Sequence, residues 1–418
     1  MHDSDIRVVE CTAEFRPVRL EPPLTLSRGS IDYFTVCDIR LVAADRSGRS
    51  AAGAGSTILS VPWAWPHPDL SIEDRDGAMR RLCRASAESV IGAPAADPVQ
   101  WWRDLEATLP PESAMPRLAG LLCLGALDSA LHDAWSRVAG QPAYAMYDAD
   151  HLTDDLRILG RELTGRYPGE FLNGSRSTLP VQHLVSTQDP LTDAEADGAT
   201  RSLQDWIRTD RIRHLKLKLG HEPVADAHRT AAVHRAAVEC IGAVTIAVDP
   251  NEAYTSVGQV AEFLQVLRRD HPDAAAALSY IEQPVPRGTD LATSEDPIPI
   301  LMDEGLTSVA ALRGLPGSGW GGIVVKAAKG QTHGLLAHSY ARFHDLYLTV
   351  QDLTAVDRAF RHSVRLASVL QLSAVHLEYN SRQYAAHANS DLTRSHPEMT
   401  TVRDGAIRIE PVFAPGIY

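Results

Sequence analysis

The chain has 418 residues, of which 44 % are apolar and 22 % charged, the balance of an ordinary globular protein. Its 40 Lys and Arg against 53 Asp and Glu leave a formal charge of −13, without the basic stripe that a nucleic-acid binder carries. No apolar run is long enough for a membrane span, and the acidic start Met1-His2-Asp3-Ser4-Asp5 is not a secretory signal, so a cytoplasmic protein is expected. The five cysteines (Cys11, Cys37, Cys83, Cys123, Cys240) are scattered and odd in number. They argue against a disulfide framework or structural zinc site and read as apolar filler.

The first 70 residues read as β structure. Ser30 to Val42 is rich in β-branched and aromatic residues, Asp45-Arg46-Ser47-Gly48-Arg49 is a turn, and a second strand runs towards Ile58-Leu59, which together suggest an antiparallel meander. Residues 72–95 and 117–139 then change to helical spacing. In the second stretch Leu118, Leu121, Leu122, Leu124, Leu127, Leu131 and Trp135 form a broad apolar stripe, with Asp128 and Asp133 off it.

From about residue 180 short apolar runs alternate with helix-compatible segments. The runs fall at 181–186, 214–219, 243–249, 278–282, 298–302, 322–326, 346–350 and 374–378; the helical segments include 193–209, 224–240, 256–270, 330–343 and 354–370. Eight such strands predict a parallel (β/α) barrel. An open doubly wound sheet is the competing pattern, but no G-x-G-x-x-G follows the first strands. The last 40 residues return to turns and a short hairpin around Arg403-Asp404-Gly405.

A parallel barrel does its chemistry at the C-terminal strand ends, and here those ends are charged. In His214-Leu215-Lys216-Leu217-Lys218 the period of two puts both lysines on one face. On an edge strand that face would be solvated; in a closed barrel it points inward. The next three strands end in Asp249-Pro250-Asn251, Glu282-Gln283-Pro284 and Asp303-Glu304-Gly305. Singly, each carboxylate suits a helix cap; together they repel unless a cation sits among them, and all-oxygen ligation favours a hard ion such as Mg²⁺. The sixth strand ends in Lys326-Ala327-Ala328-Lys329, the seventh in Gln351-Asp352 and the eighth in Glu378-Tyr379-Asn380.

In these motifs the sequence resembles the enolase superfamily, in its mandelate racemase/muconate lactonizing enzyme-like branch of the lysine/lysine type. Leu215-Lys216-Leu217-Lys218 matches the K-x-K motif, and the three acidic strand ends match the metal-ligand strands. Val325-Lys326-Ala327-Ala328-Lys329 matches the opposing-lysine strand, and Ala126 to Asp133 the helix that closes the capping domain. Asp404-Gly405 and Pro415-Gly416 resemble the C-terminal return to that domain. Lys326-Ala327-Ala328-Lys329-Gly330-Gln331 departs from the usual K-x-x-K-x-G-G, and Gln351-Asp352 stands where the racemase type has a histidine.

The resemblance implies a modified (β/α)8 TIM-like barrel, residues 150–379, under an N-terminal α+β capping domain, residues 1–145, completed by the segment 380–418. It implies Lys218 as base on one substrate face, its pKa lowered by Lys216 and the metal, with Lys326 as acid or base on the other. Lys216 should contact the substrate carboxylate. Asp249, Glu282 and Asp303 should hold Mg²⁺; the third ligand is open between Asp303 and Glu304, with the family pattern favouring Asp303. Whether Lys326 or Lys329 faces the site stays open. Asn251, Glu304, Gln351, Asp352 and Glu378 are candidate substrate-binding residues, and Arg382 and His387 are further candidates.

The expected partner is a small-molecule carboxylate, neither nucleic acid nor membrane, and the family leads to a homo-oligomer. Racemisation or epimerisation and cycloisomerisation lead the reactions. Dehydration of an acid sugar or hydroxy acid is an alternative, and a catalytically idle binding barrel is another of a different class. The lid candidates are residues 20–33, with Glu21-Pro22-Pro23 and Ser27-Arg28-Gly29, and Val61 to Pro68 with its two tryptophans. His228, His234, His333, His338 and His344 are expected to face solvent from barrel helices.

Overall fold

The computed structural model describes residues 2–26, 29–197, 200–291, 296–411 and 414–418; the lid candidates Ser27 and Arg28 lie outside the described residues. The chain opens with a three-stranded antiparallel sheet, β1 (Arg7–Leu26), β2 (Gly29–Ala44) and β3 (Ser50–Leu59), in that order. Phe15 pairs with Cys37, and the β1–β2 register shifts between Arg19 and Leu24, where Pro22 and Pro23 have no N–H to give the ladder. Helices Ile72–Ser89, Pro98–Ala107 and Arg117–Ala139 follow.

The helix Arg117–Ala139 is buried almost all round, not along one stripe. It lies between the sheet and the barrel, and its two aspartates are used on opposite sides. Asp133 accepts from the backbone N–H of Ala54 on β3 at 3.1 Å and of Ile417 at 3.3 Å. Asp128 accepts from the Thr332 backbone N–H and hydroxyl at 2.7 and 2.8 Å, which ties the capping helix to the barrel just after Lys329. The sheet can approach this helix closely because β3 carries glycines. A Cβ on Gly55 would stand 1.9 Å from the Ala126 carbonyl oxygen, and one on Gly53 2.3 Å from that of Ala130.

The barrel strands are β4 (Thr178–Val185), β5 (His214–Lys218), β6 (Thr245–Asp249), β7 (Leu278–Glu282), β8 (Ile300–Met302), β9 (Gly322–Val325), β10 (Tyr347–Val350) and β11 (Leu377–Glu378). Each pairs in parallel with the next, and β11 closes on β4 through Leu377↔Val181 and Glu378↔Gln182. A closed ring has no edge strand, so Leu215 and Leu217 join the apolar layer beneath the helices while Lys216 and Lys218 turn inward. Inside the ring Ala247, Tyr280, Leu301 and Val324 pack as a separate small cluster.

The segment after Glu378 divides between the two parts. β12 (Ala406–Arg408) pairs antiparallel with β4 of the barrel, whereas Gly416 bridges Pro142 and Ile417 binds Asp133 of the capping part. The three cysteines Cys37, Cys83 and Cys123 are buried, Cys11 and Cys240 are half-buried, and all five are free. His333 and His338 are buried rather than solvent-facing, because their helix, Gln331–Phe343, is buried on nearly every side.

Candidate active site

The strand ends converge on a small cavity of about 40 Å³ at the barrel mouth. Lys216, Lys218, Lys326, Asp352, Glu378 and Asn380 give it a polar floor, and the sheet above lends Leu20, Leu24, Ile31 and Phe34. The lid stretch 20–33 thus supplies apolar wall. Val61–Ala64 forms a single helical turn that puts Trp63 on the cavity, its ring 5.0 Å from the Lys326 ammonium. Trp65 packs instead in the core of the capping part.

Beside the cavity, buried carboxylates and ammonium groups interleave. Lys218 Nζ donates to Asp249 Oδ2 at 2.5 Å. Lys216 Nζ lies 3.0 Å from Asp249 Oδ2, 2.9 Å from Glu282 Oε1 and 3.7 Å from Glu378 Oε2. Lys326 Nζ stands 2.9 Å from Asp303 Oδ2 and 3.8 Å from Glu282 Oε1. Burial pushes the Asp249 carboxyl up, but Lys216 and Lys218 outweigh it and hold the group at about 2. Asp303 is likewise held low, by Lys326 and Lys329 against burial. Glu282 goes the other way: burial raises it further than Lys216 lowers it. Lys216 is held above the ordinary lysine range, since Asp249, Glu282 and Glu378 overcome its desolvation.

The paired alternatives separate cleanly in space. Glu304 Oε1 accepts from the Trp63 indole N–H and from Asn251 Nδ2, both at 3.0 Å, and burial beside Asp303 raises its carboxyl to about 7. The Asp303 carboxylate instead meets Lys326. Lys329 is fully buried and spends its ammonium on the Asp303 backbone carbonyl at 2.6 Å, Asp303 Oδ1 at 3.1 Å and the Leu306 carbonyl at 3.3 Å. Lys326, not Lys329, lines the cavity.

Asp352 lines the cavity as well, and burial, then Glu378, push its carboxyl up to about 8. Gln351 does not reach the cavity wall; its side chain is buried among Lys216, Gln182 and Tyr280. Arg382 and His387 stand apart from the cavity. Arg382 donates to Asp210 and to His183 Nδ1, and His387 is exposed. Sequence reading missed Gln182 and Tyr280, although period two already puts Tyr280 on the same inner face as Glu282.

Among the described residues no three His, Cys, Asp or Glu side chains are gathered in metal-holding geometry; lysine ammonium groups sit between the carboxylates. The donor set nevertheless suits a hard cation. Asp249, Glu282 and Asp303 are buried oxygen donors at the ends of consecutive strands, and Glu282 Oε2 has no hydrogen-bond partner. Buried acceptors left in that state are costly unless a cation or donor satisfies them, and carboxylate oxygens are what Mg²⁺ takes.

Comparison with known proteins bears on the family and the fold. The family model described as enolase C-terminal domain-like matches residues 198–417, while no match is found among curated proteins. Solved structures of similar fold include a dipeptide epimerase from Enterococcus faecalis V583 complexed with Mg and the dipeptide L-Leu-L-Tyr, with 14 % identity, 98 % of this chain and 99 % of that one covered, and a TM-score of 0.69. An N-succinyl Arg/Lys racemase from Bacillus cereus ATCC 14579 follows at 17 % identity, 98 % and 94 % coverage and a TM-score of 0.67. A 2-chloromuconate cycloisomerase from Rhodococcus opacus 1CP has 19 % identity, 98 % and 96 % coverage and a TM-score of 0.67. At these identities the likeness is one of fold.

Proposed function

The chain belongs to the enolase C-terminal domain-like family, and from that premise we propose that it is an Mg²⁺-dependent isomerase, a racemase/epimerase or cycloisomerase, that removes the α-proton of a small-molecule carboxylate. One observation carries this reading. Lys218 and Lys326 end strands that stand four places apart in the eight-stranded ring, yet both line one cavity. A substrate held between them can lose its α-proton to one lysine, leaving a flat intermediate that gains a proton from the other on the opposite face.

Asp249, Glu282 and Asp303 are the residues that would hold Mg²⁺; when bound, the ion supplies Lewis-acid stabilisation of the negative charge on the substrate carboxylate. The chain's own groups do the rest. Lys216, buried and firmly charged, attracts the carboxylate and repels any second ammonium. Lys218 takes the proton on one face in its neutral form, and Lys326 gives or takes it on the other. Asp352 and Glu378 border the substrate's remaining polar groups, while Leu20, Leu24, Ile31 and Phe34 shield the site from water, which strengthens each charge interaction inside it.

Proton NMR in D₂O across a panel of amino-acid derivatives, hydroxy acids and sugar acids tests the proposal. The expected result is loss of the α-proton signal from at least one acid, dependent on added MgCl₂ and, for the stereoisomer whose α-proton faces Lys218, absent in Lys218→Ala. Exchange that persists undiminished from both stereoisomers in Lys218→Ala would sink the base assignment, and a 2-keto product without exchange would point to a dehydratase.

A further inference from the structure

Gln351 is fully buried below the cavity floor, and both ends of its amide are committed. Its Oε1 accepts from Lys216 Nζ. Its Nε2 donates to Gln182 Oε1 at 3.2 Å and to the Tyr280 hydroxyl at 2.5 Å, while Gln182 Nε2 also donates to that hydroxyl at 3.1 Å. These contacts fix which way the amide faces, because the reversed amide would present an N–H group to an ammonium that can only donate.

The other partners of Lys216 are carboxylates: Asp249, Glu282 and, at longer range, Glu378. Two of these are the groups assigned above to Mg²⁺. A carboxylate oxygen given to a divalent cation is a weaker acceptor for a neighbouring ammonium, and the two cations repel. Gln351 is neutral, and its amide is held by Gln182 and Tyr280, so this partner is not contested.

We infer that Gln351 is a positioning residue, locked by Tyr280 and Gln182, that holds the Lys216 ammonium in place when Asp249 and Glu282 turn their oxygens to Mg²⁺. Without that anchor the ammonium has only carboxylates to bind and competes with the ion for them. The inference rests on the metal reading of the site, and its test separates the two.

Binding of MgCl₂ is measured by calorimetry on the full chain as wild type, Gln351→Met, Tyr280→Phe, Lys216→Met and the Gln351→Met/Lys216→Met double variant, with circular dichroism as the check on folding. Mg²⁺ affinity is expected to fall about tenfold in Gln351→Met, the loss of one charge-assisted hydrogen bond, and by a smaller factor in Tyr280→Phe. In the Lys216→Met background the Gln351 substitution should cost nothing more. Unchanged affinity in Gln351→Met overturns the inference, as does an equal loss with Lys216 already removed, since that would make Gln351 merely structural. If Gln351→Met does not fold, unchanged affinity in Tyr280→Phe overturns it. A wild-type protein that binds no Mg²⁺ overturns the metal reading itself, before any variant is compared.

Discussion

Lys218 Nζ and Asp249 Oδ2 are 2.5 Å apart, a buried ammonium donating to a buried carboxylate. In that pairing Lys218 has no lone pair to offer a carbon acid. Its use as a base requires Asp249 to turn to another cation, so the two residues are coupled through one oxygen. Lys218→Ala and Lys326→Ala should each lower turnover by about 10²–10⁴, the usual worth of a general base or acid. In an enzyme with one base per face, Lys326→Ala should still exchange the α-proton of one stereoisomer in D₂O and Lys218→Ala that of the other. Loss of exchange from both isomers in both variants would contradict the two-sided arrangement.

The contrast between Asp303 and Glu304 leads to a second expectation. Asp303→Asn and Glu282→Gln should weaken Mg²⁺ binding by at least about 100-fold, since each removes a charged oxygen ligand. Glu304→Gln should cost less than about tenfold, because Glu304 is occupied by Trp63 and Asn251 and its raised carboxyl is already partly neutral near pH 7. Calorimetry with MgCl₂ distinguishes them; equal losses at Asp303 and Glu304 would make both ligands.

Asp352 makes stability depend on pH. Burial, then Glu378, raise its carboxyl to about 8 in the folded chain, against about 3.9 in an unfolded one. The folded state therefore holds the proton more tightly. Its contribution is complete below pH 4 and is lost as pH rises to about 8. Asp352→Asn stays neutral throughout. Its melting temperature, followed by circular dichroism, should gain several degrees on wild type between pH 5 and pH 8 and then level off. A constant difference over that range would show that Asp352 is ionised in the fold.

Gly55 tests how the capping sheet meets its helix. A methyl group there would overlap the Ala126 carbonyl oxygen at 1.9 Å, and backbone cannot yield as a side chain can. Gly55→Ala should destabilise by about 1–3 kcal/mol or more, seen as a lower urea midpoint, whereas Gly48→Ala on the β2–β3 turn meets no atom within 4 Å and should act only through its left-handed backbone. Equal midpoints for wild type and Gly55→Ala would mean that the sheet and helix can separate without loss.

Much of the site could be read from one dimension because its determinants are local. Alternation along a strand puts Lys216 and Lys218 on one face, and the end of a strand is where Asp249, Glu282, Asp303 and Lys326 stand; neither statement needs a contact from elsewhere once the ring is closed. The choices within pairs were different. Glu304 is claimed by Trp63, 241 positions away, and Lys329 by the Asp303 and Leu306 carbonyls, so Asp303 and Lys326 are left to face one another. Asp128 and Asp133 look like the polar side of a surface helix, yet partners from the barrel and the sheet bury them on both flanks. Gln351 reads as a strand-end group for substrate, and only the meeting of β4, β5, β7 and β10 inside the ring turns it under Lys216. Sequence alone determined the order of charged strand ends; tertiary structure decided which of them pair with one another, because a hydrogen bond's partner is set by proximity in space and not by spacing along the chain.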